Sequence, residues 1–292
     1  MFSFIENEEE KKMDYKLICI DMDGTLLNDK KTISERNLKS IRLANEKGVR
    51  IVVCTGRIFT SANFFSELLG VKSPVIASNG AYIREKDRDE IIYNATLGAE
   101  KCKKLLSVFR QYDIYPHYYT SNKIFTEDVT FSSRFYKETN KILSKDNQIK
   151  SILVKDWNKV FKEYGNEIFK CIGVDVDLEK IEKVKKSLRG MNNFEVVSSN
   201  LDNFEVTNKG VTKGNAVKIL ADYYGINKEQ VICIGDSEND LSMIEFAGLG
   251  VAMGNGDENV KLASQYITDT NNNDGVAKAI EKFVLEMQPM RN

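Results

Sequence analysis

The feature that most constrains this chain is a set of short, nearly unbroken apolar runs: Leu17–Ile20, Val49–Cys54, Val75–Ala77, Val231–Ile234 and Gly250–Met253. A strand exposed on one face alternates apolar and polar residues. Runs that are apolar throughout are buried on both faces, as in parallel sheets covered by helices. Helical patterns separate the first three. Ser34 is placed to cap a helix with Ile33 and Leu38 as a hydrophobic staple, Ile41 and Ala44 continue its buried face, and Gly48 ends it. A second helix carries Phe64, Phe65, Leu68 and Leu69 and stops at Gly70. In such sheets ligands bind at the carboxyl ends of the strands. Asp21 and Asp23, Thr55 and Arg57, and Asn79 each stand just past a predicted strand end, which points them at one site.

Asp21 and Asp23 repel one another and raise one another's pKa unless a cation or proton lies between them, which suggests a metal site or an acid/base pair. A strand ending in an Asp-Gly hairpin turn is the structural alternative. The remaining composition narrows the chemistry. With 42 basic residues against 43 acidic ones, no global charge draws the chain to nucleic acid or an anionic membrane. Cys19, Cys54, Cys102, Cys171 and Cys233 lack metal-type spacing and read as reduced core residues. The single histidine, His117, argues against His-based triads and multi-His zinc sites, leaving carboxylates, hydroxyls and lysines. A charged N-terminal extension, residues 1–14, lacks the apolar core of a secretory signal, and no stretch reaches transmembrane length; the expected location is the cytoplasm.

At 292 residues the chain suggests about two domains. From about Tyr82 the pattern shifts to hairpins, aromatic-rich short segments and Lys/Glu-rich helices, and after Gly210 strand–helix alternation resumes. The expected organisation is a core of residues 15–84 and 204–292 interrupted by an insertion, 85–203. The fold class is α/β, a doubly wound Rossmann-like parallel sheet with an inserted α+β cap domain.

Val231–Asp236 repeats the opening design, an apolar run ending in a carboxylate beside glycine, and supplies a third acid. Such hard-oxygen clusters suit Mg2+, which takes one or two carboxylates with waters and phosphate oxygens. Asp240, four residues on, could hold a metal-bound water; an ordinary N-capping cluster is the alternative for this segment. Stabilising a phosphoryl group in flight takes a cation, a lysine and hydroxyl or N–H donors, and Thr55 and Lys213 complete that set. Lys213 opens a helix against the dipole preference, which hints at an anionic ligand; a solvated surface lysine is the alternative.

Asp21-Met-Asp-Gly-Thr-Leu-Leu, Thr55-Gly-Arg, Ser78-Asn-Gly-Ala, Lys213-Gly and Gly235-Asp-Ser-Glu-Asn-Asp-Leu-Ser-Met resemble, in order and spacing, the four signature motifs of the haloacid dehalogenase superfamily. The likeness runs from about Tyr15 to Val284 and is narrowest to the Cof-type phosphatases, whose large α/β cap (type IIB) follows the third core strand. It implies that Asp21 is the nucleophile, giving an aspartyl-phosphate, and that Asp23 is the acid/base. It further implies that Thr55 and Lys213 hold the phosphoryl oxygens, and that Mg2+ is bound by Asp21, the Asp23 carbonyl and Asp236, with Asp240 beyond and Asn239 near metal or phosphate. Gly56, Arg57, Asn79 and Asn255 are the further residues expected to line the pocket. Asn208 stands where many relatives carry proline, away from any catalytic role.

The resemblance leads to a Mg2+-dependent phosphatase of small phosphorylated metabolites, sugar phosphates first. A phosphomutase and an aspartyl-phosphate signalling module stay open as alternatives; Asp23 and the large insertion weigh against the last. The aromatic stretch Tyr115–Tyr119 reads as packing, with His117 structural. No feature of the sequence speaks to oligomeric state.

Overall fold

The opening apolar run forms β1 (Leu17–Ile20), every residue of which is buried. In the computed structural model, which describes residues 14–86, 88–128, 132–145 and 148–286, it is followed by α1 (Glu35–Glu46), β2 (Arg50–Cys54), α2 (Phe59–Leu68), β3 (Val75–Ala77), β4 (Tyr82–Arg84) and β5 (Ile91–Asn94). Most of the charged N-terminal extension, residues 1–13, lies outside the described residues. α1 starts where its cap predicts, with Ser34 Oγ accepting from the Asn37 amide at 3.1 Å, and Gly48 takes a left-handed φ of 86° just beyond its end.

A second group of elements intervenes: α3 (Gly98–Gln111), β6 (His117–Tyr119), β7 (Lys123–Thr126), α4 (Ser132–Ile142), β8 (Lys150–Leu153), α5 (Trp157–Tyr164), β9 (Lys170–Val174), α6 (Leu178–Gly190), β10 (Phe194–Val197) and β11 (Asn203–Asn208). The chain returns through α7 (Lys213–Tyr224), β12 (Val231–Gly235), α8 (Leu241–Phe246), β13 (Leu249–Ala252), α9 (Glu258–Ala263), β14 (Tyr266–Ile267) and α10 (Gly275–Ile280), after which the helix widens to π-type turns through Leu285. Among the described residues no helix is long and apolar enough to cross a membrane.

The larger sheet has the order β14-β13-β12-β1-β2-β3-β4-β5, parallel from β14 to β3 and antiparallel beyond. β1 is the switch point. Its residues align with Val231–Ile234 on one side and Arg50–Val53 on the other, and a crevice opens at such a reversal. Ile41, Ala44, Phe65, Val276 and Ile280 pack on one face of this sheet, against Ile18, Ile20, Ile51 and Val53. Val217, Leu220, Met243, Ile244 and Val260 pack on the other, against Leu17, Cys19, Val52 and Cys54. Alternate residues of one strand thus enter different apolar layers, which explains runs without polar positions. All five cysteines are buried and unpaired.

The smaller sheet runs β10-β11-β9-β6-β7-β8. One face is covered by α3, α5 and α6 through Phe109, Phe161, Val184 and Leu188. Tyr118 lies 5.0 Å from the Trp157 ring and 5.1 Å from the Phe161 ring and donates its hydroxyl to the Cys102 carbonyl at 2.7 Å, while His117 is buried. Tyr119, Ile124 and Tyr136 of α4 form a separate cluster with Ile58, which stands just before α2.

Two strands join sheets other than those their place in the sequence suggested. Ile91–Asn94, inside the expected insertion, pairs with β4 at the edge of the larger sheet, and Asn203–Asn208, spanning the expected start of the returning core, pairs with β9 and β10 in the smaller one. Both flank the points where the chain passes between sheets; the hairpin of Tyr82–Arg84 with Ile91–Tyr93 is readable from the sequence, but no residue pattern says which sheet it extends. The ring of Phe204 is fully buried, its centroid 5.2 Å from that of Phe109. Phe204→Ala is expected to cost about 3–5 kcal/mol, read as a lower denaturant midpoint in equilibrium unfolding.

Candidate active site

Polar residues gather at the carboxyl ends of the adjacent strands β1, β2, β3 and β12. Asp21 is held at the end of β1 by its amide, which donates to the Ile234 carbonyl at 3.0 Å. Gly24, at φ 79°, lets the following loop close on β12: a Cβ there would stand 2.4 Å from Asp236 Oδ2. Lys213, the first residue of α7, is fully buried, with its Nζ 2.6 Å from Asp21 Oδ1 and 2.6 Å from Asp240 Oδ1. Two carboxylates outweigh an unfavourable dipole, so Lys213 is no solvated surface residue.

Asp240 accepts from the amides of Asp236 at 2.9 Å and Ser237 at 3.1 Å through its other oxygen. The capping alternative for this segment is what the hydrogen bonds show: one oxygen of Asp240 caps the turn while the other meets Lys213. Asp236 accepts from the hydroxyls of Thr25 at 2.7 Å and Ser237 at 2.9 Å. Carboxylate oxygens of Asp21, Asp236 and Asp240 lie within 4.8 Å of one another. Burial and the nearby Asp240 push the Asp21 carboxyl well up, against the pull of Lys213. Burial and Asp240 likewise raise Asp236, to about 7. Three acids around one lysine leave excess negative charge on hard oxygen donors, a set that fits a divalent cation.

Asp23 stands apart from that cluster. Arg57 takes its carboxylate bidentately, Nε to Oδ2 at 2.6 Å and Nη2 to Oδ1 at 2.7 Å, and Lys31 Nζ adds a contact at 3.0 Å. Burial would raise this carboxyl, but Arg57 and Lys31 outweigh it and hold it well below the usual carboxylate range. Arg57 is itself buried, near Ser61 Oγ at 3.2 Å and over the Phe65 ring at 4.9 Å.

Thr55 is buried and accepts the Arg57 amide on its hydroxyl at 3.1 Å. The Gly56 carbonyl accepts from Lys170 Nζ of β9. Asn79 lies in a left-handed turn with Ser78 and Gly80, at φ 52°, 55° and 95° in chain order. Its amide nitrogen donates to Glu205 Oε2 at 2.9 Å, and its oxygen accepts from Asn239 at 3.2 Å. Asn255 donates to the Gly24 carbonyl at 2.8 Å and accepts the Asn271 amide at 2.8 Å, so it braces the loop that carries Asp23.

Residues that sequence reasoning passed over complete the surroundings. Thr25 and Ser237 lie inside the quoted motifs and were legible there as hydroxyls beside carboxylates. Lys170, Glu205 and Tyr136 carried no such signal. Glu205 alternates with Phe204 and Val206, as an exposed strand position would, yet it is buried. The smaller sheet also meets the core through Tyr136, whose hydroxyl accepts the Ile58 amide at 3.3 Å, through the Thr60 amide to the Ser121 carbonyl at 3.1 Å, and through Arg189 to Glu238 at 2.6 Å.

Comparison with known proteins gives the family. Residues 18–280 match the family model for haloacid dehalogenase-like hydrolases. The chain is 34% identical over 282 residues to a 5-amino-6-(5-phospho-D-ribitylamino)uracil phosphatase of Bacillus subtilis (strain 168), covering 95% of this chain and 99% of that one. A crystal structure of a haloacid dehalogenase-like hydrolase from Bacteroides thetaiotaomicron superposes with a TM-score of 0.75 at 34% identity, over 92% of this chain and 99% of that one. The subclass IIB sugar phosphatase BT4131 superposes with a TM-score of 0.76 at 26% identity, over 92% and 98% of the two chains. With its fold, its carboxylate cluster and these relatives in agreement, the chain belongs to the haloacid dehalogenase-like hydrolases and is a phosphoric monoester hydrolase.

Proposed function

We propose that this enzyme is a Mg2+-dependent phosphatase that removes phosphate from small polyhydroxylated metabolites, sugar phosphates first, through an aspartyl-phosphate on Asp21. The observation that carries the reading is Lys213 Nζ lying between Asp21 and Asp240, with Asp236 beside them at the switch point of the sheet. In the first step an Asp21 carboxylate oxygen attacks phosphorus, the bond to the leaving oxygen breaks, and a proton on Asp23 passes to that oxygen. In the second, water attacks phosphorus, Asp23 takes its proton, and Asp21 leaves as the free carboxylate. Lys213 and the Thr55 hydroxyl hold the phosphoryl oxygens as charge spreads over them. Mg2+, held by Asp21, Asp236 and the Asp23 carbonyl with Asp240 outside the ligand set, would supply the positive charge this cluster lacks.

Paired with Arg57, Asp23 is in the ionised form that the second step needs. Arg57 therefore has to release it before it can carry the proton of the first, and an entering phosphate ester is a competing bidentate acceptor for the same guanidinium. The relative named for a ribityl phosphate and the neighbour described as a sugar phosphatase both support a phosphorylated polyhydroxylated chain as substrate. The membership of β6–β11 in a separate sheet supports a cap inserted between about residues 95 and 210. The unpaired cysteines support a reducing cytoplasm, and the balanced charge supports a partner list without nucleic acid or membrane.

Purified protein should release free phosphate from p-nitrophenyl phosphate and sugar phosphates with Mg2+, and Asp21→Asn should lower kcat by at least about 10³-fold while the protein stays folded. Activity retained in that variant refutes the nucleophile; isomerised sugar phosphate without free phosphate indicates a mutase. A second test reads the metal without turnover. Burial and the nearby Asp240 push Asp236 from its ordinary 3.8 up to about 7, so the native state holds more protons across that window and metal-free stability is expected to fall as pH rises through it. His117 acts in the opposite sense: burial lowers it from 6.5 to about 4, and its contribution grows over that range. A cation binding the ionised carboxylates offsets only the first effect. The rise in Tm on adding Mg2+ should be larger at about pH 7.5 than at about pH 5, and equal rises would argue against the cluster as its site.

A further inference from the structure

Two charged side chains of the smaller sheet reach into the core. Lys170 of β9 and Glu205 of β11 are 2% and 4% exposed. A buried ion pair is retained at a cost unless further hydrogen bonds satisfy its remaining groups, and here the core provides them. Lys170 Nζ donates to Glu205 Oε2 and to the carbonyl of Gly56, the residue after Thr55. Glu205 Oε2 also accepts from Asn79 Nδ2 at 2.9 Å, and Oε1 accepts from Ser199 Oγ at 2.8 Å.

The chain of bonds does not stop there, because Asn79 Oδ1 accepts from Asn239 Nδ2 at 3.2 Å, and Asn239 precedes Asp240. An ionised carboxylate only accepts, whereas an amide can present either end. Burial would raise Glu205, but Lys170 outweighs it and keeps this carboxyl lowered and ionised. Glu205 therefore requires Asn79 to turn its NH2 towards the cap and its oxygen towards Asn239. Asn239 commits one of its two NH2 hydrogens to that bond, which fixes which way its amide faces and so where its carbonyl oxygen lies. The Asn79 backbone, at φ 55° and ψ 33° between two further left-handed residues, is pinned in this turn, so reversal of the chain means flipping amides rather than moving the loop.

We propose that Glu205, supported by Lys170, is a positioning residue for the phosphoryl site: from the cap it sets the direction of the Asn79–Asn239 amide chain, and Lys170 fixes the Gly56 carbonyl beside Thr55. The inference rests on the proposed phosphatase reading and adds to it a dependence of the core's site on a seated cap. Replacing Glu205 by glutamine keeps the shape but allows an NH2 to face Asn79, so the chain loses its direction.

The test is a double-mutant cycle of Glu205→Gln and Asn239→Ala, read twice: as kcat/KM for p-nitrophenyl phosphate, and as Mg2+ half-saturation from the cation-induced rise in Tm. Glu205→Gln should weaken at least one of the two readouts about tenfold alone, and less than about threefold once Asn239→Ala is present. A purely structural role lowers both backgrounds alike; equal costs in the two backgrounds, or a cost under about threefold alone, overturn the proposal. If the lone Lys170 charge prevents Glu205→Gln from folding, the neutral pair Lys170→Met/Glu205→Gln replaces it in the cycle under the same criteria. Unfolding of both forms assigns the pair to stability and likewise overturns the proposal. Absence of turnover in the unmodified enzyme would instead refute the phosphatase reading, and the Mg2+ readout would still decide the role of Glu205.

Discussion

Lys213 holds together a site that would otherwise repel itself. Asp21 and Asp240 each lie 2.6 Å from its Nζ, and Asp236 completes the acidic cluster at the end of two adjacent strands. One ammonium cannot neutralise three carboxylates, which is why burial and mutual repulsion raise Asp21 and Asp236. The chain tolerates this because the acids sit on a frame that cannot yield. β1 and β12 are paired residue for residue, Leu17 to Val231 through Ile20 to Ile234, and are buried in apolar layers on both faces. A rigid sheet keeps the carboxylates close when looser loops would let them separate, so the excess negative charge stays concentrated on hard oxygen donors, a set that fits a divalent cation.

The same crevice treats its other acid in the opposite way. Asp23 is two residues from Asp21, yet Arg57 and Lys31 keep it ionised while Asp21 is pushed towards protonation. The two titrations separate according to which cations face each carboxyl: Lys213 is shared within a cluster of three acids, whereas Arg57 and Lys31 both contact Asp23. Lys213 faces the cluster from the start of α7; Arg57 faces Asp23 from the loop after β2. Neighbours in the sequence are thereby assigned to different partners by strands far apart in the chain.

Much of this was legible in the sequence for a physical reason. Apolar runs buried on two faces announce a parallel sheet, and such a sheet places its chemistry at strand ends, so Asp21, Thr55, Asn79 and Asp236 could be grouped before any coordinates. What escaped was information held between segments. Glu205 sits in a strand whose alternation marks it as exposed, and only the docking of the smaller sheet on the core buries it. Asn255 read as a pocket residue, but its amide braces the Gly24 carbonyl, a distinction of direction that residue identity cannot carry. The hairpin of Tyr82–Arg84 with Ile91–Tyr93 was legible as a local pairing, but which sheet it extends, and which sheet takes Asn203–Asn208, depends on strands distant in sequence.

The contacts that seat the cap differ in kind, and the difference bears on how it can move. Glu238 meets Arg189 and Lys185 at its edge, where ion pairs are part-exposed and typically worth about 0.2–1 kcal/mol. Thr60 and Ile58 add single hydrogen bonds to Ser121 and Tyr136. None of these is costly to open, since water can replace each partner. The Lys170–Glu205 pair is another matter, because separating it from the core would hydrate two charges that are stripped of water where they stand. The seating of the smaller sheet thus rests on the apolar contacts of Ile58 with Tyr119 and Tyr136 and of Tyr82 with Phe169, and on how well Gly56 and Asn79 satisfy the buried pair. The groups that complete that satisfaction, Gly56 and Asn79, lie in the loops after β2 and β3 that adjoin the carboxylate cluster through Asn239, so the seating of the smaller sheet and the order of those loops share one set of hydrogen bonds.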